Sequence, residues 1–526
     1  IDAFLLRCFK HQASSNSPPP PNFAKELGVL GRSCFSDEAC QRHASFAKRY
    51  KECFEADFTT ADKFASTLGG LQRRLKRWRS VLRQDVRARI PTSLRLEVES
   101  PVLAAYRARD LEMPGQYLDP SGSDVDVSLT AKLSHFAADV PIVRRRDASH
   151  RRVGLVGVDG RVAHFIVQTS VKTSERGDER ALQLLRAVNR LLLKHPECRR
   201  RRLALRLPVV VPVWPQVRMV EDDADTVSLG EVYNLHCARY GRDPDQPVVY
   251  FKDVVSQAAS SARGDAAAAA PALMAARKQA YQDISSKLIS ENLLNQYVYK
   301  TIPNGTHLWI FKRHFTSQLA LWSLLGSALR VGGRTPARML FSRRGGSFMH
   351  ADFRVELDRS CNLEQPEAVP FRLTRNLQSF ATPFGVEGLL VASMAASAQA
   401  VLGDPRKSQL RDFLALYFRD EVVTWDGRVQ QAVAAATAAG QGPPNPTPPL
   451  EPGFVRERSL ALASSVAGSL AKCVPSRSSG AGPPAGGAKR GQLSVPPVHA
   501  GVAELVAAAI NPANIVSMDA VWHPWM

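Results

Sequence analysis

The sequence predicts an α+β chain: helices first, then a small β-rich lobe, a larger and mainly helical lobe, and a short helical tail. Three observations carry that prediction. Phe64, Leu68, Leu71, Leu75, Trp78 and Leu82 recur at spacings of 4, 3, 4, 3 and 4, one apolar stripe of helical period. From about residue 86 the pattern changes to short apolar or alternating runs, LRLEV, RRVGLVGV and RVAHFIVQT, divided by Gly, Pro and Asp-Gly turns. Beyond residue 230 helical spacing returns and holds to about 436.

Residues 1–85 read as helical, and IDAFLLRCF at the front reads as the middle of a helix, so the expectation is the carboxyl-terminal piece of a longer chain. Arg73, Arg74, Lys76, Arg77 and Arg79 lie off the apolar stripe, as they would on the solvated face of a packing helix. In the β-rich stretch, Asp159-Gly160 between two apolar runs is a hairpin signal, because a tight turn needs positive φ. Leu182, Leu185, Val188 and Leu192 then mark a helix over 179–193, and RLPVVVPVWPQV is a further strand run broken by three prolines. An Ala-rich tract at 257–277 reads as an insert or a loosely held helix. Residues 437–497 hold GQGPPNPTPPLEP and SRSSGAGPPAGGAKRG, too poor in large apolar side chains to fold, and are expected to be a mobile Pro/Gly/Ser-rich loop. A last helical segment, GVAELVAAAINPANIVSMDA, precedes WHPWM. Its helix is too short to stand alone in water and has to borrow burial from the large lobe, with Trp522, Pro524 and Trp525 as an aromatic plug.

Composition narrows the function classes. With 44% hydrophobic and 22% charged residues in 526, a sizeable core forms and wholesale disorder is excluded. Eight Cys without a CxxC pair suit a reducing compartment rather than a disulfide framework. The most apolar uncharged stretches, Phe315 to Leu329 and Gly388 to Gly403, are too short and too rich in small polar residues to span a bilayer. Formal charge is +20, with further clusters at Arg144–Arg146, Arg151, Arg152 and Arg199–Arg202, but charge runs alone identify no partner. A stand-alone nucleic-acid module ranks low, since no stacking aromatics interleave with the basic runs.

Common catalytic signatures are missing: no GxxxxGK[ST], HExxH, GxSxG or GxGxxG occurs. Cys34, Cys40, His43 and Cys53 fit no common zinc spacing, so no metal site is assigned. Asn304-Gly-Thr306 matches a glycosylation sequon but reads more simply as an exposed turn, and Val369 to Thr374 as a structural turn.

The informative stretch is LGSALRVGGRTPARMLFSRRGGSFMHADFRVELD, residues 325–358. It resembles the catalytic and metal-binding loops of the phosphatidylinositol-kinase-related protein kinases, with Gly332, Arg334, Pro336, Met339, His350, Asp352 and Phe353 in register. In that alignment the family's catalytic Asp falls on Gly333, its His on Thr335, its metal-binding Asn on Arg338, and the glycine after its metal-binding Asp-Phe on Arg354. Upstream, AHFIVQTSVKTSERGDERALQLL resembles the family's strand and helix; the phosphate-gripping Lys becomes Gln168, while Asp178, Glu179 and Arg180 are kept. Phosphoryl transfer depends on positioning and charge neutralisation by a Lys, an Asp and Asn on Mg²⁺, and a carboxylate at the acceptor hydroxyl. Of those parts only Asp352 remains. Gly333 cannot take a proton, a role worth about 10²- to 10⁴-fold; Arg338 puts a cation where Mg²⁺ would sit; Gln168 cannot neutralise phosphate. Asp352 is expected to survive as an ion-pair partner of Arg338 or Arg354.

The resemblance implies a two-lobed protein-kinase-like fold over 86–436, with a small lobe at about 86–215 and a large lobe at about 230–436. It also implies that 1–85 close a helical FAT region and that 498–526 form a FATC tail. The stretches LGGLQRRLKRWR, VPVWPQVRMVEDDADTVSLGEVY, IPNGTHLWIFKRHFTSQLAL and MDAVWHPWM are similar to the family's pseudokinase branch. That branch implies a nuclear, non-catalytic scaffold without nucleotide cofactor. Its partners would be subunits of histone acetyltransferase complexes of the SAGA-like and MYST type and acidic transcription activators, with chromatin reached indirectly. The Arg clusters are candidates for those contacts. The rival is an active serine/threonine kinase with a replacement carboxylate, Glu356 or Asp358, although both lie past the metal loop.

Overall fold

The computed structural model describes residues 1–10, 16–58, 64–89, 91–108, 110–118, 130–145, 148–169, 177–261, 266–381, 385–402, 409–438, 451–474 and 500–526. They form two compact units: Ile1–Pro91 with Cys237–Ser290 and Val516–Trp525, and Thr92–His236 with Glu291–Ile515 and Met526. Residues 237–290, which spacing alone runs on into the large lobe, thus group with the opening helices, and the tail is divided between the units.

In the first unit the stripe helix runs Leu68–Arg89, starting one turn later than the apolar periodicity suggests because the Thr67 hydroxyl accepts the Gly70 N–H and caps it there. Leu68, Leu71, Leu75 and Trp78 are buried on its inner face, and Trp78 packs in tilted and edge-on contacts against Tyr50, Phe54 and Phe58 of helix Ala44–Phe58. The basic residues of that helix are paired at home: Lys76 lies 2.9 Å from Asp243 and 3.3 Å from Asp245, Arg79 lies 3.0 Å from Asp245, and Arg77 meets Asp57. The Ala-rich tract is two packed helices, Gln246–Ser261 and Ala266–Asp283, with residues 262–265 outside the described set. Trp525 is fully buried, its ring 5.7 Å from Phe251.

The second unit opens with an antiparallel sheet of seven strands: β1 (Ser93–Arg95), β2 (Leu133–Phe136), β3 (Asp139–Arg145), β4 (Ala148–Gly157), β5 (Val162–Thr169), β6 (Val210–Trp214) and β7 (Val217–Glu221). The order is β1-β3-β4-β5-β7-β6, with β2 also paired to β4. Strand β1 is shorter than LRLEV suggests. Leu96–Glu99 turns helical, and Ser100 then caps a second short helix with Pro101 in its first turn. The β4–β5 hairpin closes as expected, with Gly160 at φ +75° and the Arg161 N–H donated to Asp159 Oδ1 at 3.0 Å. Helix Gly177–Lys194 follows, burying Leu184, Leu185, Val188 and Leu192. Its Arg180 donates to Asp420 at 2.7 Å in helix Gln409–Ala438.

Helix Gly305–Ala328 is the axis of the helical part. Asn304 caps it, its Oδ1 accepting the Thr306 and His307 N–H groups, which accounts for the sequon as a turn. From Phe315 onward the helix is buried nearly all round, its polar Thr316, Ser317, Gln318 and Ser323 included. Phe315 sits 4.9 Å from Phe380, 5.2 Å from Phe348 and 5.8 Å from Phe341. A small sheet of β8 (Thr226–Ser228), β9 (Met339–Ser342) and β10 (Phe348–His350) lies against this core. Within 437–497 one expectation fails: Pro452–Ala471 is a helix packed on Gln409–Ala438. Leu462, Ala463, Val466 and Leu470 give it a buried face and Pro452 its first turn, signals masked by the Pro/Gly-dense flanks. Residues 439–450 and 475–499 lie outside the described set. Helix Ala500–Ile510 buries Val502, Val506 and Ala509 and packs on helix Val391–Leu402, the burial its length requires.

Candidate functional site

A cleft of about 200 Å³ in the second unit is lined by Gln168 and Arg218 from the sheet, Leu182 and Leu185 from helix Gly177–Lys194, and Trp322, His350, Asp352 and Phe353 from the helical part. Fold topology explains the convergence. Strand β5 carries Gln168 to the cleft wall, helix Gly305–Ala328 brings Trp322, and the end of β10 with the loop after it brings His350, Asp352 and Phe353.

Gln168 is opposite Arg218 in the β5–β7 register, and Arg218 Nε donates to Gln168 Oε1 at 3.0 Å. An amide there accepts from a guanidinium; a lysine would repel it. Arg218 escaped sequence reasoning, since strand register is not written in either strand alone.

On the loop beside the cleft, Gly333 has φ +67°, and a Cβ at that position would stand 2.2 Å from Arg338 Nη1. A side chain at 333 and the observed Arg338 rotamer are therefore mutually exclusive. The Arg338 guanidinium turns to the carboxylate of Asp352, Nε to Oδ2 3.6 Å, with each side chain about two-fifths exposed at 41% and 42%. Arg338 is one of the two partners expected for Asp352. Asp352 itself adopts φ +54°, a left-handed conformation that Asp tolerates better than most residues. The Thr335 N–H bonds Gly333 O at 2.8 Å and the Arg354 N–H bonds Asp352 O at 2.9 Å, so both positions serve backbone turns. Arg354 is exposed, and the side chain of Asp178 lies outside the described residues. Gln168 and Asp352 thus share one cleft, with Gly333, Thr335 and Arg338 on the loop beside it.

A second arrangement holds the same loop from behind. The buried Arg334 takes Glu367 in two-point fashion, Nε and Nη2 to Oε2 at 2.9 and 2.7 Å, while its own N–H bonds Glu367 Oε1 at 2.9 Å. Its remaining donors reach the carbonyls of Val369 and Pro370. Burial lowers the Arg334 pKa and Glu367 opposes that shift. Arg372, wholly buried and pushed down to about 9 by burial, donates to Arg334 O at 3.1 Å and to Met526 O at 2.8 Å. The turn Val369–Thr374 is therefore structural, as its sequence suggested.

This is the geometry of a kinase cleft, and residues 165–427, half of the chain, match the family described as phosphatidylinositol 3- and 4-kinase. The chain belongs to that family. It is 29% identical over 91% of its length to the human transformation/transcription domain-associated protein. It is 28% identical over 69% to the Saccharomyces cerevisiae SAGA complex/NuA4 acetyltransferase complex subunit TRA1. The chain spans only 12% and 10% of those relatives. Among solved structures, the FAT and kinase domain of CtTel1 superposes with TM-score 0.54 at 17% identity, covering 99% of this chain and 34% of that one, a likeness of fold. The kinase-like α+β architecture expected from the sequence stands on these matches.

Proposed function

We propose that the chain is the pseudokinase part of a scaffold subunit of histone acetyltransferase complexes, which brings the acetyltransferase to promoters by way of transcription activators. The observation that carries the non-catalytic half is the Arg338–Asp352 pair: a guanidinium occupies the one carboxylate that the metal would need. Gly333 and Gln168 support the same reading, since neither neutralises phosphate nor accepts a proton. The family's nucleotide chemistry therefore does not fit these residues. The scaffold half rests on relatives whose names carry acetyltransferase complexes, the Saccharomyces cerevisiae and Schizosaccharomyces pombe subunits, aligned over 69% and 73% of this chain. Nuclear localisation follows from that assembly.

An active kinase finds little support in the replacement carboxylates. Asp358 is a turn former: its Oδ1 accepts the N–H groups of Ser360 and Asn362 at 2.8 and 2.9 Å, and these bonds hold its pKa low. Glu356 is exposed and lies outside the cleft lining.

The test is to purify the native full-length protein by affinity tag from its own cells and assay one eluate twice, for histone acetylation with acetyl-CoA and for phosphorylation of added protein with labelled ATP. Acetylation without phosphorylation is expected. Phosphorylation that persists in the wild type and disappears in Asp352→Ala, or the absence of acetyltransferase, would sink the corresponding half.

A further inference from the structure

Two of the sequence's basic clusters are partly neutralised within the chain. Lys76 and Arg79 sit on Asp243 and Asp245, and Arg200 and Arg201 share Glu197 at 2.9 and 3.7 Å. A further excess of positive charge lies elsewhere. Residues 292–351, sixty positions, contain no Asp or Glu, against eight Lys and Arg. Most of that span is buried, but the first turns of helix Gly305–Ala328 are not. There Trp309 and Ile310 are 48% and 52% exposed, and Tyr299 on the preceding helix Leu293–Thr301 is 55% exposed. The Arg313 guanidinium lies 5.5 Å from the Trp309 ring centroid, one helical turn on. Lys312 is inserted beneath, 5.4 Å from the Tyr299 ring centroid and 2.8 Å from Asn295 Oδ1, which ties the two helices together.

Neither Lys300 nor Arg313 is paired with a carboxylate among the described residues. His314 Nδ1 lies 2.7 Å from Gly345 O, setting the β9–β10 turn beside the third helical turn. On that turn Arg343 and Arg344 share the single carboxylate of Asp225 at 3.2 and 2.6 Å. The result is a patch with an apolar centre and a rim of net positive charge, rigid because its own underside is packed.

We propose that this face, built from Tyr299, Lys300, Trp309, Ile310, Arg313 and Arg344, is a docking surface for an acidic protein segment carrying large apolar side chains. Charge complementarity selects the sign of the partner, and the exposed Trp, Tyr and Ile select the bulky side chains that go with it, the residue types that concentrate binding energy at interfaces. Nucleic acid fits less well. Its affinity at physiological salt rests on many phosphate contacts, about six to ten in strong binders, and this rim offers fewer unshared cations, while Ile310 provides no stacking face. The proposal rests on the scaffold reading above, in which transcription activators are partners, and adds the surface of this chain that would meet them; its peptide-binding test is separate from the acetylation and phosphorylation assays.

The test uses the purified 526-residue chain and fluorescence anisotropy with a short labelled peptide of Asp and Glu interspersed with Phe and Leu. Its controls are the same peptide with Ser in place of Phe and Leu, and labelled oligo(dT). The apolar acidic peptide is expected to bind, and the Ser version to bind at least about tenfold more weakly. Trp309→Ala with Ile310→Ser should weaken binding by about tenfold or more. Arg313→Glu, on an exposed side chain that leaves the fold intact, should weaken it by about tenfold at low salt and by less at high salt. No peptide binding, equal affinity in both variants, or equal affinity for the Ser peptide overturns the proposal. Tighter binding of oligo(dT) than of peptide overturns it in favour of a nucleic-acid surface.

Discussion

Arg334 and Arg338 share one short loop, yet the fold treats their guanidinium groups in opposite ways. Arg334 and its partner Glu367 are 8% and 6% exposed, meet in two-point geometry, and have their spare donors satisfied by carbonyls. Arg338 meets Asp352 at one long contact with both side chains two-fifths open to solvent. The buried pair has the geometry under which desolvation is recovered; the open pair is worth little to stability in either direction. Different constraints therefore act on neighbouring positions. The loop's backbone frame is anchored from behind by Arg334, Glu367 and Arg372, so the fold persists whatever the cleft does. The cleft face is free of that anchoring, and it is there that the proposed function places the loss of phosphoryl-transfer residues.

Three substitutions break or sharpen that contrast. Glu367→Gln keeps the shape of the buried pair and removes its charge, leaving Arg334 buried without a counter-ion. It should destabilise the chain by about 3–5 kcal/mol in urea denaturation, and a loss below about 1 kcal/mol would place the pair with the exposed kind.

An intermediate case is Lys252 in the other unit, a largely buried amine that burial pushes down to about 8, with the charges of Asp519 and Cys8 partly opposing. Between that value and its ordinary 10.5 the unfolded chain holds the proton that the folded chain has released, so stability rises with pH through this window. Cys8, raised to about 11 by burial from an ordinary 9.0, pulls the other way above pH 9, because there the folded chain keeps a proton that the unfolded chain loses. The clean interval is therefore pH 8 to 9, where the gain should be about 1 kcal/mol and should vanish in Lys252→Met. A flat wild-type profile there would show that the buried amine is fully compensated.

The smallest effect belongs to the open pair. Arg338→Ala should change unfolding free energy by less than about 1 kcal/mol, read in the same denaturation experiment. A loss comparable with Glu367→Gln would erase the distinction between the two arginines.

Much of this was legible in the sequence because it is carried by local pattern. The apolar stripe of Leu68–Trp78, the Asp159-Gly160 turn and the in-register residues around Asp352 each declare themselves within a few positions. What stayed hidden depends on long-range pairing. Arg218 faces Gln168 only through strand register, Glu367 finds Arg334 across a loop, and residues 237–290 group with the opening helices through contacts that spacing cannot encode. Helix Pro452–Ala471 was obscured for another reason: its own apolar face is regular, but its flanks dominate the local composition. The basic helix shows the limit of charge reading, since Lys76 and Arg79 look available in sequence and are neutralised by Asp243 and Asp245 far along the chain.

The proposed loss of phosphoryl chemistry in the cleft is tested most directly by calorimetric titration of Mg·ATP into the 526-residue chain, with Asp352→Ala beside the wild type. No saturable heat from either protein, at concentrations where active kinases of the family saturate, is the predicted result. Saturable binding by the wild type that Asp352→Ala abolishes would mean that Mg²⁺ displaces Arg338 from the carboxylate, and would contradict the account.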